Sequence, residues 1–253
     1  DGNPSTLLKY DTHTSQKLSD GSNETVITLS DAQYPVTVKL HYIAFPEENI
    51  IKTFTEISHR EKKPVTLQKY ASSLLHLNRG KYFLTEFAGD WAHEANITER
   101  ELAFGKKVID TKLGARANMF VSPFFQLSVD NPSEENTGEV IVGTLGWTGN
   151  FRFTFEVDNL NHLRILSGIN PYASEYNLPA GEVFRTPDFY FTYSLNGKGQ
   201  ASRNFHDWAR RYQVKDGNET RMTLLNNWEA TYFDFNEDKL IGLIGDWTMI
   251  MLT

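Results

Sequence analysis

Two segments alternate apolar and polar residues without a break: Val36-Thr37-Val38-Lys39-Leu40-His41-Tyr42 and Phe151-Arg152-Phe153-Thr154-Phe155-Glu156-Val157. Successive side chains of a strand point to opposite faces, so each segment places an apolar row on one face, and that face must be buried. Turn chemistry bounds the second, with Gly149-Asn150 before it and Asp158-Asn159 after it. Less regular runs of the same kind occupy residues 24–29, 50–57, 65–70, 82–87, 139–147, 163–169 and 188–195. Many short strands separated by turns, in a chain with 17 Phe and 11 Tyr, predict a mainly β protein built as a large antiparallel sandwich. Gly143, Gly146 and Gly149 recur inside a strand-rich stretch, which predicts close backbone packing or a bulge and not a dinucleotide loop.

The alternation stops at Asn196-Gly197-Lys198-Gly199. Beyond it Phe205, Trp208, Ala209 and Tyr212 recur at helical spacing, which predicts an amphipathic helix from about Ser202 to Gln213. Lys215-Asp216-Gly217-Asn218-Glu219 is a polar connector, so a domain boundary is expected near Asp216, dividing the chain into 1–215 and 216–253. The run Leu224-Leu225-Asn226-Asn227-Trp228-Glu229-Ala230-Thr231-Tyr232-Phe233-Asp234-Phe235 is apolar on entry and ends in polar and aromatic groups. Asn236 then offers a helix start, and Leu240, Leu243, Ile244 and Trp247 share a helical face. Strand followed by helix reads as the first βα unit of a (β/α)8 barrel, a fold whose active site lies at the strand C-terminal ends.

Composition excludes several function classes. A net charge of −7 without a run of five basic residues argues against nucleic acid, and the short pairs Lys62-Lys63 and Arg210-Arg211 read as solvated surface. With no cysteine there are no disulfides, thiolate nucleophiles or Cys-ligated zinc, and the redox compartment stays open. No apolar run reaches the roughly 20 residues that span a bilayer, so no membrane partner is expected. Asp1-Gly2-Asn3-Pro4 resembles no signal peptide and lacks an initiator Met, which suggests a processed or cut chain and leaves localisation unassigned. The sequons at Asn23, Asn96 and Asn218 read as chance matches.

The seven histidines contain no His-x-x-x-His pair. His93-Glu94 and His206-Asp207 are chain neighbours whose side chains diverge on a strand or a helix, so no metal or cofactor is expected. Nucleophile elbows and phosphate loops are absent. Glu229 and Asp234 invite a glycosidase reading, yet on an extended strand they fall on opposite faces about 17 Å apart. Catalytic pairs need about 5 Å for retention and at most about 9.5 Å for inversion, so these two do not form one. Trp228 beside Asn226 and Asn227 offers a flat apolar face for a sugar ring and amides for its hydroxyls; core packing is the competing reading of the same Trp.

The segment from Leu224 to Leu240 closely resembles the start of the barrel in α-galactosidases of glycoside hydrolase family 36. Upstream, Gly89-Asp90-Trp91-Ala92-His93-Glu94 resembles the family's Gly-x-Trp-Ala-x-Glu segment, and Gly138-Glu139-Val140 with Gly149-Asn150-Phe151 resembles its Gly-Glu-Val and Ser-Gly-Asn-Phe stretches. Gly168-Ile169-Asn170-Pro171 and Phe205-His206-Asp207 are similar to two further landmarks. The resemblance implies an N-terminal β-supersandwich followed by one βα unit of an incomplete barrel. It also implies retaining hydrolysis of terminal α-1,6-linked galactose from sugars of the melibiose and raffinose type, by two Asp residues on later strands that this chain does not contain. It assigns Trp228, with Asn227, to the wall of the galactose pocket and Trp91 to a possible approach from the sandwich, although a core position is the plainer reading of Trp91. A galactoside is thus the expected partner, and the whole protein is expected to form homo-oligomers. The alternative is a non-catalytic carbohydrate-binding or oligomer-forming sandwich module. Two departures stand out: the family's sandwich begins earlier than Asp1, and Leu243 to Thr253 does not continue the family pattern, which suggests a truncated gene product, a frameshifted end or a partial segment.

Overall fold

The computed structural model describes residues 5–78, 80–116, 119–222 and 224–250. Sixteen strands come first: β1 (Leu8–Lys17), β2 (Asn23–Asp31), β3 (Val36–Phe45), β4 (Ile50–His59), β5 (Val65–Leu67), β6 (Ser73–Leu77), β7 (Tyr82–Ala88), β8 (Asn96–Glu101), β9 (Gly105–Asp110), β10 (Val121–Val129), β11 (Glu139–Gly146), β12 (Phe151–Val157), β13 (Leu163–Ile169), β14 (Tyr176–Leu178), β15 (Val183–Arg185) and β16 (Asp188–Ser194). Three helices follow, α1 (Gly197–Tyr212), α2 (Trp228–Thr231) and α3 (Glu237–Ile250). The chain divides into two compact units, Asp1–Gln213 and Val214–Thr253.

In the first unit the strands pair antiparallel. The large sheet runs β1-β2-β3-β4-β16-β11-β10-β7-β8 with β15 also on β4, and the small sheet runs β6-β13-β12-β9. The alternation of β12 explains how they meet. Phe151, Phe153, Phe155 and Val157 are buried and face Phe125, Leu127, Ile141 and Phe189 of the large sheet. Fully burying such side chains contributes about 1.5–3 kcal/mol each, so this row alone is a major part of what holds the sheets together. The opposite face of the large sheet carries Val140 and Val142 against Ala201 of α1, and Tyr190 and Phe45 against its Trp208. The result is three layers: small sheet, large sheet, helix.

Helix α1 begins five residues before the position its apolar spacing indicates. The N–H groups of Gly197, Lys198 and Gly199 donate to the carbonyls of Gly138, Glu134 and Glu135 at 3.0, 2.9 and 2.9 Å. These satisfy donors that a helix start otherwise leaves orphaned. Gly197 has φ +76°, and a Cβ on Gly199 would lie 2.0 Å from Glu135 Oε1, so the two glycines at which the alternation stops are what lets the 134–138 loop approach.

The second unit corrects one expectation. No strand forms between Leu224 and Phe235 among the described residues: Asn227 already has helical angles, φ −85° and ψ −2°, and Trp228–Thr231 is a short helix. A parallel barrel strand is held by neighbours on its edges, and among the described residues none pairs with it. Helix α3 follows where Asn236 indicated, with the Lys239 N–H donating to Asn236 Oδ1 at 3.0 Å. Of its expected apolar face, the Trp247 side chain lies outside the described residues.

Candidate functional site

The Asn-Asn-Trp run is organised by short-range hydrogen bonds. Asn226 Oδ1 accepts from the Trp228 N–H at 3.0 Å, the backbone-mimicking turn that Asn favours. Asn227 Nδ2 donates to Thr231 Oγ1 at 2.8 Å, so this amide is engaged one helical turn ahead. Tyr232 closes α2 with φ +47°, an uncommon left-handed angle for an aromatic residue. That reversal folds Phe233 edge-on to the Trp228 ring at 4.8 Å, with Tyr232 edge-on at 5.4 Å. Trp228 remains 43 % exposed, so its indole is neither a core group nor free of support. The chemistry available here is an aromatic surface bordered by amides, suited to the C–H face of a sugar.

The two carboxylates stay apart in role. Asp234 Oδ2 accepts from Lys239 Nζ at 2.8 Å, and the Asp234 carbonyl accepts from the same ammonium at 3.1 Å. Glu229 lies in the first turn of α2, where a negative charge suits the helix dipole.

Trp91 stands in the other unit, on the connection between β7 and β8. Asp90 and His93 close the loop by reciprocal backbone bonds of 3.1 and 3.0 Å, and Asp90 Oδ1 accepts from the Trp91 N–H at 2.7 Å. Ala92 and Ala95 take left-handed φ of 57° and 55°. This loop presents Trp91 83 % exposed, which overturns the core reading. The reason is that Trp91 falls between strands, where the alternation that sends aromatic residues inward does not act. Asn227 and Trp228 lie in one compact unit and Trp91 in the other.

The other sequence-level candidates have local roles. His206 and Asp207 face Ser202 and Arg210 along α1. Among the described residues, no three His, Asp or Glu side chains converge to hold a metal ion, and no helix is long and apolar enough to cross a membrane. Concavities of about 210 Å³ beside Phe104 and Phe155, and about 400 Å³ beside Asp31 and Tyr34, are lined by none of Trp91, Asn227 and Trp228.

One polar cluster was not legible in the sequence. His41 stacks on Phe54 at 4.2 Å, its Nδ1 lies 3.0 Å from Glu24 and its Nε2 3.3 Å from Glu56. The hydrogen bond with His41 holds the Glu24 carboxyl below its ordinary range. Cross-strand register brings these groups together from β2, β3 and β4, and sequence spacing carries no trace of it.

Comparison with known proteins gives this geometry a family. Residues 1–179 match the family model of the glycosyl hydrolase family 36 N-terminal domain, and residues 183–249 match the melibiase model. The chain is 31 % identical over 219 residues to α-galactosidase AgaA of Geobacillus stearothermophilus, covering 86 % of this chain and 30 % of the relative. It is also 31 % identical over 246 residues to α-galactosidase Mel36A of Lactobacillus acidophilus, covering 96 % and 33 %. The crystal structure of AgaA superposes with a TM-score of 0.86 at 30 % identity over 95 % of this chain and 35 % of that one. The chain thus spans about a third of the length of the curated relatives it matches. With the sandwich, its helix and the Asn-Asn-Trp run all falling within these matches, the chain belongs to glycosyl hydrolase family 36.

Proposed function

We propose that this chain is part of a retaining α-galactosidase that releases terminal α-1,6-linked galactose from oligosaccharides of the melibiose and raffinose type. The observation that carries the reading is that the sandwich and the Asn-Asn-Trp run match the same family in order along one chain. Variants of AgaA have been crystallised with raffinose and with stachyose, which supports this class of substrate. In this reading Trp228 and Asn227 form one wall of the galactose pocket, and Trp91 contributes an exposed aromatic contact from the sandwich. The catalytic aspartate pair belongs to barrel strands outside residues 1–253. The division into an N-terminal sandwich unit with its helix, 1–215, and the start of a catalytic barrel, 216–253, is part of the same proposal.

Glu229 and Asp234 do not replace that pair. Asp234 is ion-paired with Lys239 on an almost fully exposed side chain, whereas the two carboxyl groups of a retaining pair flank the scissile bond about 5 Å apart. Residues 1–253 alone are therefore expected to show no turnover of an aryl α-galactoside. Turnover comparable to that of a full-length relative, from a preparation free of host activity, sinks the reading.

The 83 % exposure of Trp91 favours one second reading, a carbohydrate-binding module without catalysis. Galactose titration by calorimetry separates the two: a binding module retains measurable affinity in this chain, and a pocket wall without its barrel does not.

A further inference from the structure

His59, the last residue of β4, is 2 % exposed and joins three stretches of chain at one corner of the large sheet. Its carbonyl accepts from the Gly181 N–H at 3.2 Å, and the next N–H, of Arg60, donates to the Pro35 carbonyl at 2.9 Å. The imidazole itself meets two backbone groups of fixed polarity. Nε2 lies 2.9 Å from the Leu178 carbonyl, which can only accept, so Nε2 carries the proton. Nδ1 lies 3.1 Å from Glu61 N, whose N–H can only donate, so Nδ1 is the acceptor. Both bonds exist together only in the neutral Nε2–H imidazole. A second proton sets Nδ1–H against the Glu61 N–H and buries a cation. The neighbours offer it no counter-charge: β3 places Val36 opposite His59, β14 brings Leu178, and turns bring Pro35 and Gly181. The charged residues of the adjoining loops are Arg60, Glu61, Lys62, Lys63 and Glu182, and among the described residues none of their side chains pairs with the ring.

What the ring holds is a flap. β5 and β14 form a sheet of their own, two strands of three residues each, with Val65 opposite Leu178 and Leu67 opposite Tyr176. Two strands alone are marginally stable. Thr66, Tyr176 and Asn177 are exposed while Leu178 is fully buried, so one side chain plugs the flap into the sandwich. The His59 bond to the Leu178 carbonyl fixes that plug, and Tyr176 and Tyr70 rest on the Phe184 ring of β15 at 4.7 and 4.6 Å.

We propose that His59 is an acid-released latch, closed over the β5–β14 flap while its imidazole is neutral and opened when the ring takes a second proton. The size of the effect follows from linkage. The closed flap has no place for the proton, whereas the open one exposes an ordinary histidine, which gains its proton near about pH 6.5. The open population therefore rises about thirtyfold between about pH 7.5 and about pH 5. The sign is that of a group folding keeps neutral: its stabilisation is present above about pH 6.5 and lost below it.

The test is amide hydrogen exchange of the full chain at those two pH values, with rates corrected for the intrinsic pH dependence of exchange. The amides of Glu61, β5 and β14 should lose about thirtyfold in protection on acidification, and those of β12 and β13 far less. His59→Gln keeps a donor for the Leu178 carbonyl and takes no proton, so its flap should lose this pH dependence. Flap protection that does not change with pH, or that falls in step with β12 and β13, overturns the proposal. A His59→Gln protein with the parent's pH dependence overturns it as well, by moving the cause to another group such as His41 or Glu24. Where His59→Gln does not fold, nitrogen NMR of the parent's ring decides: the Nε2–H tautomer is expected at neutral pH, and an Nδ1–H tautomer overturns the latch.

Discussion

Gly143 lies on β11 beneath two rings of the sandwich core. A methyl group built there would sit 2.6 Å from Phe125 Cζ and 2.8 Å from Phe125 Cε1 and Phe189 Cζ. Carbon atoms in contact lie about 3.5–4.0 Å apart, so Gly143→Ala requires the rings to retreat by about 1 Å. They have nowhere to go. Phe125 and Phe189 are both 0 % exposed, and Phe125 is braced edge-on by Phe153 at 5.3 Å and Phe155 at 5.0 Å. Overpacking a dense core costs about 1–3 kcal/mol, offset by up to about 0.5–1 kcal/mol from the reduced freedom of the unfolded chain. The net loss is about 1–2 kcal/mol, which lowers the melting temperature of a unit of this size by about 2–8 °C. Urea unfolding should report the same loss as a shifted midpoint with an unchanged slope. Phe125→Leu removes the ring edge that the new methyl meets, so the double variant should lose about 1 kcal/mol less than the sum of the single changes. A Gly143→Ala protein as stable as the parent, or a strictly additive double variant, would refute the reasoning.

Arg211 donates to Glu48 Oε1 at 2.8 Å and also contacts Glu47, while Glu48 is 7 % exposed; Arg211→Met leaves that carboxylate buried without its cation and should lower the urea midpoint, and adding Glu48→Gln should recover most of the loss. The hydrogen bond with His41 depresses the Glu24 carboxyl below 4.5, so its stabilisation is present above that value and lost as pH falls through the lower folded one. Melting temperature should therefore fall on acidification below about pH 4.5, and Glu24→Gln should make that limb shallower. Asn236→Ala removes the cap acceptor of the Lys239 N–H, costing about 1 kcal/mol locally and raising amide exchange in the first turn of α3 about fivefold.

What could be read from sequence depended on burial. Strands β12 and β13 sit over a core, and the buried face of each survives in the sequence as an alternation; β3 departs from this, because of its alternating row Val36, Val38, Leu40 and Tyr42 only Val38 is buried, and Ile43 and Phe45 on the opposite face are the residues that join a core. β1 and β8 are exposed along nearly their whole length at opposite edges of the large sheet, and no apolar row marks them. β10 is buried but carries Pro123, which cannot donate to a ladder and lies where its pairing with β7 shifts register. The start of α1 was hidden for another reason: its first donors are satisfied by carbonyls about sixty residues back along the chain, and two glycines that usually end an element here begin one.

The Asn-Asn-Trp run shows the same limit from the other side. Its order of residues suffices to identify the family, because Leu224 to Leu240 is a long and specific pattern. That order does not suffice to make a strand. In α1 the helix is favoured by its own spacing and then buried on a sheet, so local and tertiary preferences agree. From Leu224 to Phe235 they are separate: a parallel strand draws its stability from ladder bonds to both neighbours, and without them Asn226 Oδ1 accepts from the Trp228 N–H and Thr231 Oγ1 donates to the Asn227 carbonyl, side-chain bonds to the backbone that favour a turn. The aromatic contacts of Trp228 with Tyr232 and Phe233 then follow from that turn, within four to five residues, and not from a barrel. The family is thus written in the run, whereas the geometry of a barrel strand is conferred by strands that pair beside it.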